Sequence, residues 1–401
     1  MPGQPGRTGL IRTPHGDIAT PAFVVVGTQA SVKAVAPGDV AGLGAQAVLG
    51  NAYHLYLQPG PDLIEAAGGL ARFMGWDGPT FTDSGGFQVL SLGAGFKKVL
   101  AMDTAGLADD DVIAAGKDRL ARVDDDGVTF KSHRDGSRHR FTPESSMRIQ
   151  RQLGADIVFA FDECTTLVNT RAYQERSVAR TQAWAVRSLA EHARLAAAEP
   201  GRPYQALFGV VQGAQWEDLR RQAVRGLLAA EAGGRRFDGY GIGGALEKER
   251  LGQICRWVTS ELPADKPRHL LGIGAPEDLF AGVEAGVDTF DCVNPSRTAR
   301  SGAVYTAAGR YNVDTALNTR SFAPLEDGCD CQTCQHHSRA YLRHLARSKE
   351  LLFYSLMTIH NLRFTVRLVD DIRASIEQGQ FAAFRDEFLG RYQSRRPAPS
   401  P

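Results

Sequence analysis

The stretch ADIVFAFDEC, Ala155 to Cys164, decides the fold: an apolar run without polar alternation that ends abruptly in Asp162 and Glu163. A strand apolar on both faces belongs in a parallel sheet covered on both sides. The segments after it repeat that arrangement. A helical stretch runs from about Arg171 to Ala198, and ALFGVVQG (Ala206 to Gly213) is a strand ending in Gln212. Trp216 to Glu231 is helical, and FDGYGIGG (Phe237 to Gly244) is a strand closing on two glycines. Glu247 to Glu261 is the next helix, HLLGIG (His269 to Gly274) a strand, Pro276 to Ala285 a short helix, and VDTFDCV (Val287 to Val293) the last strand.

Upstream, AFVVVGT (Ala22 to Thr28), AQAVLGN (Ala45 to Asn51) and the run from Pro79 to Asp83 are further strands, with a hard turn at Pro59-Gly60-Pro61. Seven or eight such strands, most of them separated by helices, predict a closed (β/α)₈ TIM barrel rather than an open sheet. GVTFKSHRDGSRHRFTPE has the pattern of a hairpin turning at Asp135-Gly136, and Thr142-Pro143 opens a helix that stops at Gly154. Between them, residues 95–127 carry two acidic triplets, Asp109-Asp110-Asp111 and Asp124-Asp125-Asp126, and are expected to form a solvated insertion. The expected organisation is a barrel over residues 8–310, a cysteine-bearing subdomain with closing helices over 311–392, including a helix pair from Phe364 to Tyr392, and a disordered tail at 393–401.

The composition is ordinary for a globular protein: 401 residues, 43% hydrophobic and 23% charged. A formal net charge of +1 gives no basic domain, so any nucleic-acid contact must rest on local charge. No apolar stretch approaches the roughly 18 residues that span a bilayer. The first residues lack the apolar core of a secretory signal, so a cytoplasmic location is expected, with the six cysteines as thiols or metal ligands.

In a barrel of this kind the C-terminal ends of the strands carry the chemistry. Asp83, Asp162, Gln212, Gly244 and Asp291 all fall at such ends. One polar group there is a cap; five converge on a site. After Asp83, Ser84-Gly85-Gly86 let the backbone approach a flat ligand and offer N–H groups, and Phe87 can lie against a ring; a Gly-rich turn with a core Phe is the plainer alternative. In TFDCVNPSRTAR (Thr289 to Arg300), the carboxylate of Asp291 is followed at once by Pro295, Arg297 and Arg300. That arrangement suits attack on a sugar attached to a phosphate backbone; a capping Asp with solvated arginines is the alternative.

CDCQTC places Cys329, Cys331 and Cys334 within six positions, a spacing suited to tetrahedral Zn²⁺. His336 and His337 open a basic amphipathic helix, whereas His360 ends the apolar helical run LLFYSLMTIH and is the preferred fourth ligand. Three thiolates and an imidazole leave no open position, so the metal is expected to be structural. Cys164, Cys255 and Cys292 are too widely spaced to join it, and Cys255 is expected in the core.

On FTDSGGFQ, GVTFKSHRDGSRH, FDEC, VQG, FDGYGIGG, FDCVNPSR and the CDCQTC…His360 set, the chain resembles the bacterial tRNA-guanine transglycosylases from about Thr8 to Tyr392. The resemblance implies exchange of the wobble guanine of a tRNA for a free 7-deazaguanine, usually 7-aminomethyl-7-deazaguanine, by a homodimer with one structural Zn²⁺ per subunit. It implies Asp291 as nucleophile and Asp83 as acid/base. The base would be held by Ser84, Gly85, Gly86, Phe87, Asp162, Cys164, Gln212, Gly243, Gly244 and Leu271. RNA would run along Gly272, Ile273, Gly274, Ala275, Pro276, Glu277 and Asp278, and along Ser296, Arg297, Thr298, Ala299 and Arg300. The chemistry agrees: exchange with retention needs two displacements through a covalent ribosyl intermediate, and the base must leave the stack. Ala245-Leu246-Glu247 departs from the bacterial pattern beside the 7-substituent; Glu247 can face an aminomethyl cation or simply sit at a helix N-terminus. The alternatives are the same chemistry with queuine or on another nucleic acid, a silent RNA-binding subunit, and a hydrolase of small nucleosides.

Overall fold

The computed structural model describes residues 6–88, 121–167, 169–244 and 246–393. Eight parallel strands close into a barrel: β1 (Ala22–Val26), β2 (Val48–Gly50), β3 (Thr80–Thr82), β4 (Ile157–Phe159), β5 (Ala206–Val211), β6 (Gly239–Ile242), β7 (Arg268–Leu270) and β8 (Thr289–Asp291). Each pairs with the next, and β8 returns to β1 with Phe290 opposite Phe23 and Asp291 opposite Val24. The (β/α)₈ barrel expected from the strand pattern is the fold.

Side chains alternate across each strand. Val24, Leu49, Phe81, Ile157, Phe159, Phe208 and Val210 form one buried cluster with Ile18 of the N-terminal hairpin, which fills the barrel's interior. The intervening Phe23, Val25, Val48, Val158, Leu207, Val211, Ile242, Leu270 and Phe290 face the surrounding helices in a second cluster. On β6 the inward positions are Gly239 and Gly241. A methyl on Gly239 would lie 2.5 Å from the Phe208 ring, and one on Gly241 3.0 Å from Phe159. Two large rings opposite two absent side chains fill the barrel.

At the N-terminal end, three acids tie neighbouring strands together. Asp156, before β4, accepts from Thr80 N of β3 at 2.8 Å; Asp238, before β6, from Leu207 N of β5 at 2.9 Å; and Asp288, before β8, from Arg268 N of β7 at 2.8 Å. His15 and Arg7 reach the other oxygens of Asp156 and Asp288, each at 2.7 Å.

Several local expectations hold. The helix Pro143–Leu153 starts on a capping box between Thr142 and Ser145 and stops at Gly154 in the left-handed region. Arg171–Ala198 is one helix, Gly127–Lys131 and Arg138–Phe141 pair as a hairpin, and Cys255 is fully buried. Others are corrected. The apolar helix does not stop near His360: Leu351–Glu377 is continuous, and its partner is Phe381–Gln393. Within it, the buried amide of Asn361 is satisfied by Tyr305 N, Pro295 O and Ala303 O. This helix packs on β1 and shares its core, so the C-terminal segment closes the barrel wall. Residues 95–120, with the first acidic triplet, lie outside the described residues. The second triplet is solvent-exposed as expected, but it sits at a defined turn. Ala121–Asp124 is a strand pairing with Gly127–Lys131, and Asp125 and Asp126 meet Arg180 and Arg187 on the helix Arg171–Ala198.

The interior packing is testable. Gly239→Ala should cost roughly 1–3 kcal/mol of unfolding free energy through overpacking against Phe208. Gly38→Ala, where a methyl meets nothing within 4 Å, should stay within roughly 0.5 kcal/mol of wild type. Equal denaturation midpoints for the two variants would contradict the account.

Candidate active site

Asp291 ends β8 on the inward face, two residues above Thr289. Its Oδ1 faces Nε2 of the fully buried His269 at 3.1 Å and accepts from Gly272 N at 2.8 Å. Thr289 Oγ1 lies 2.8 Å from His269 Nδ1. An imidazole between a carboxylate and a hydroxyl is ordered: Nε2–H donates to Asp291, and Nδ1 accepts from the Thr289 hydroxyl. The ring is further fixed between Phe81 and Phe159, at centroid distances of 5.6 and 5.3 Å. Oδ2 of Asp291 has no hydrogen bond among the described residues. One carboxylate oxygen is anchored and the other is available.

Asp83 follows β3 on the same inward register as Phe81. Ala52 N donates to its Oδ1 at 2.8 Å, and Asn51 Nδ2 donates to its Oδ2. Asn51 also accepts from His54 N at 3.1 Å, which caps the helix Ala52–Leu57. Burial pushes the Asp83 carboxyl up to about 7, against the hydrogen bond from Ala52, and the negative charges of Asp291 and Asp162 push it the same way. The two acids at 83 and 291 are therefore electrostatic neighbours at one rim.

Asp162 lies beyond β4. Ser84 Oγ donates to its Oδ1 at 2.9 Å and Gln212 Nε2 to its Oδ2 at 2.7 Å. Burial raises its carboxyl to about 6, offset in part by those two donors. The neighbouring Glu163 points elsewhere, into a buried pair with Arg180 Nη1 at 2.6 Å and Tyr173 OH at 2.5 Å. Gly86 sits where a methyl would be 2.5 Å from Asp162 O, and Gly85, at φ +80°, where a methyl would be 2.9 Å from Phe141. The Gly86 N–H expected to face a ligand is instead taken by Ser84 Oγ at 3.2 Å. Phe87 is 39% exposed, so it is no core residue.

Gly243 and Gly244 follow β6 beside Gln212, whose Oε1 would be 2.5 Å from a methyl on Gly244. Cys164 is half-buried with its thiol pushed up to about 12 by burial, and Leu271 packs against the barrel interior. Glu247 pairs with Arg250 Nη1 at 2.9 Å ahead of the helical turn Lys248–Arg250, the arrangement of a helix-terminal acid. Ala245 lies outside the described residues.

Of the expected RNA-contacting segments, Ile273, Gly274, Pro276, Asp278, Ser296 and Ala299 are buried, Gly272 and Arg297 are exposed, and Ala275, Glu277, Thr298 and Arg300 are intermediate. Glu277 pairs with Lys248 at 3.4 Å. Arg300 turns back to Ser296 O at 2.9 Å, leaving Arg297 as the outward cation of the helix Asn294–Ala299.

Cys329, Cys331, Cys334 and His360 form one cluster, with all ligand atoms within 4.8 Å of one another. His360 Nδ1 is 3.7, 3.6 and 3.4 Å from the three sulfurs in turn. Its Nε2 donates to Tyr305 O at 2.8 Å, which turns the Nδ1 lone pair toward the thiols. The set can hold a metal ion, and His336 and His337 are not part of it.

Sequence reasoning missed three supporting residues. Asn51 ends AQAVLGN, at a strand end like the others. His269 stands on the inward register of HLLGIG. Arg220, buried in the helix Glu217–Ala229, donates to the carbonyls of Val211, Ala214 and Gly243 around Gln212, and has no local signal.

A family model described as Queuine tRNA-ribosyltransferase matches residues 3–394. A protein of that name from Symbiobacterium thermophilum is 46% identical over 396 residues, 98% of this chain and 90% of the relative. One from Herpetosiphon aurantiacus is 45% identical over 388 residues, covering 97% and 90%. A third, from Caldanaerobacter subterraneus subsp. tengcongensis, is 44% identical over 393 residues, covering 97% and 95%. With two acids at one barrel rim and a Cys₃His cluster in its C-terminal segment, the chain belongs to the queuine tRNA-ribosyltransferase family of pentosyltransferases.

Proposed function

We propose that this protein exchanges the wobble guanine of a tRNA anticodon for a free 7-deazaguanine, with 7-aminomethyl-7-deazaguanine as the incoming base. The reading rests on one observation: two carboxyls share a rim, one anchored on a single oxygen and the other held near pH 7. Oδ2 of Asp291 attacks C1′ of the flipped ribose. The C1′–N bond breaks and a C1′–O ester forms. Asp83, protonated, donates to the departing guanine. The incoming base occupies the same pocket, gives its ring N–H proton to the now ionised Asp83 and attacks C1′, releasing the Asp291 carboxylate. Two inversions give retention. An acid titrating near neutrality suits a group that must both give and take a proton in each cycle.

Asp162 is the acceptor for the purine N–H and amino groups, Gln212 reads its carbonyl, and exposed Phe87 stacks on it. Arg297 holds phosphate beside the sugar without reading sequence. The metal is zinc: a tetrahedral site with the usual Zn–S and Zn–N lengths separates N from S by about 3.6 Å, which the His360 distances match. Its role is to hold the C-terminal segment. The exposed Leu317, Phe322 and Leu351 of the C-terminal segment support a homodimer, and the thiol chemistry supports a cytoplasmic location. No helix among the described residues is long and apolar enough to cross a membrane.

Asp291→Asn should abolish the enzyme–RNA adduct that survives denaturing electrophoresis and lower labelled-guanine exchange by roughly 10⁴-fold or more; normal adduct yield would refute the nucleophile. Adduct formation, which needs Asp83 protonated, should fall as pH rises through about 7, and Asp83→Asn should lose that limb. Stability should move in the same direction. A carboxyl raised above its unfolded value favours the fold at low pH and loses that contribution as pH climbs toward 7. Melting temperatures of wild type should therefore decline relative to Asp83→Asn between pH 4 and about 7. Cys331→Ser should lower bound zinc, measured by atomic emission, together with the melting temperature; unchanged zinc content would remove the site.

A further inference from the structure

We propose that Arg220 is the positioning residue of the base pocket: one buried guanidinium that ties the carbonyl-reading Gln212 segment to the neighbouring Gly243-Gly244 turn. The inference rests on the proposed exchange reaction, since it concerns the pocket assigned there.

Arg220 is 0% exposed and comes from the first turn of the helix Glu217–Ala229 after β5. Its Nη1 donates to Val211 O and to Gly243 O, each at 2.8 Å, and its Nε donates to Ala214 O at 2.9 Å. All three acceptors are backbone carbonyls, and no carboxylate pairs with it among the described residues. Val211 and Ala214 flank Gln212 on both sides, while Gly243 is the first residue after β6. A single planar fork thus sets the spacing between the ends of two neighbouring strands, which Gly243 N also bridges to Val211 O at 3.0 Å.

The surrounding backbone is shaped to admit this side chain. Ala214 has φ +46°, a left-handed conformation uncommon for a residue with a Cβ, and its carbonyl is the one that Nε holds. Gly213, at φ +128°, lies where a methyl would be 2.8 Å from Arg220 N, so only glycine lets the helix start this close. Gly244 has φ +83°, and a methyl there would be 2.5 Å from Gln212 Oε1 and 3.7 Å from Arg220 Nη2. Gln212 Oε1 and the guanidinium therefore both border the space beside Gly244. Lysine carries a charge but no fixed fork, and cannot hold three carbonyls in this plane. The ligand class is a purine or deazapurine bearing an exocyclic carbonyl.

The experiment measures competition against labelled-guanine incorporation into unmodified tRNA, with guanine, 2-aminopurine (no carbonyl) and hypoxanthine (no 2-amino group) as competitors. Wild type, Arg220→Lys, Gln212→Ala and the double variant are compared, with Arg220→Met as a second substitution. Arg220→Lys should raise the guanine KM about tenfold with kcat changed less than threefold, and should reduce the preference for guanine over 2-aminopurine. The preference over hypoxanthine, which Asp162 sets, should persist. In the Gln212→Ala background Arg220→Lys should change the carbonyl preference no further. An unchanged guanine/2-aminopurine ratio, an equal fall in both preferences, or loss of folded protein in both Arg220 variants overturns the proposal. Absence of labelled guanine incorporation by wild type would instead refute the exchange reaction itself.

Discussion

The hydrogen bond from His269 to Asp291 depends on a constraint that runs through the whole barrel: side chains on a strand alternate inward and outward with period two. His269, Thr289 and Asp291 all stand on the inward register of adjacent strands, so the imidazole is trapped between Phe81 and Phe159 and can only donate upward to the carboxylate. A one-residue slip of β8 would put Phe290 in that place and turn the acid outward. The register is in turn set from below, where Asp288 ties β8 to β7 through Arg268 N. Position of the reactive oxygen and integrity of the barrel's floor are thus one problem.

The same residue type does two jobs at the two ends. Asp156, Asp238 and Asp288 sit at the N-terminal ends and accept strand N–H groups. Asp83 and Asp162 sit at the opposite rim, where burial, with the charges of Asp291 and Asp162 around Asp83 and of Glu163 beside Asp162, makes ionisation expensive. A buried acid kept partly protonated is a poor stabiliser and a good proton carrier. That contrast, more than the presence of acids, separates scaffold from chemistry.

The C-terminal segment adds its stability from outside the barrel. His360 stands on the helix Leu351–Glu377, which packs against β1, and its ring joins the three cysteines to the carbonyl of Tyr305. Cys331 also caps the short helix Gln332–His336, and Gln335 Nε2 returns to Cys329 O at 2.8 Å. The cluster therefore links a loop, a hairpin and the barrel wall at one point.

Much was legible in the chain itself. Continuous apolar runs ending in polar residues specify a parallel barrel and mark its functional end, because only strands buried on both faces can lack alternation. CDCQTC and His360 specify a tetrahedral donor set because soft ligands at that spacing have few other uses. The partners that each group meets were settled only by the folded chain. Asn51 shows a strand end and His269 an inward face, Arg220 shows neither, and which of Asp83, Asp291 and Gln212 each one supports is not written locally. The second acidic triplet is solvated as its sequence suggests, but the arginines that Asp125 and Asp126 meet, Arg180 and Arg187, are more than fifty residues away and could not be read from it. Pattern along the chain encodes which face a residue takes; which neighbour it finds there depends on closure of the barrel, which brings distant segments together.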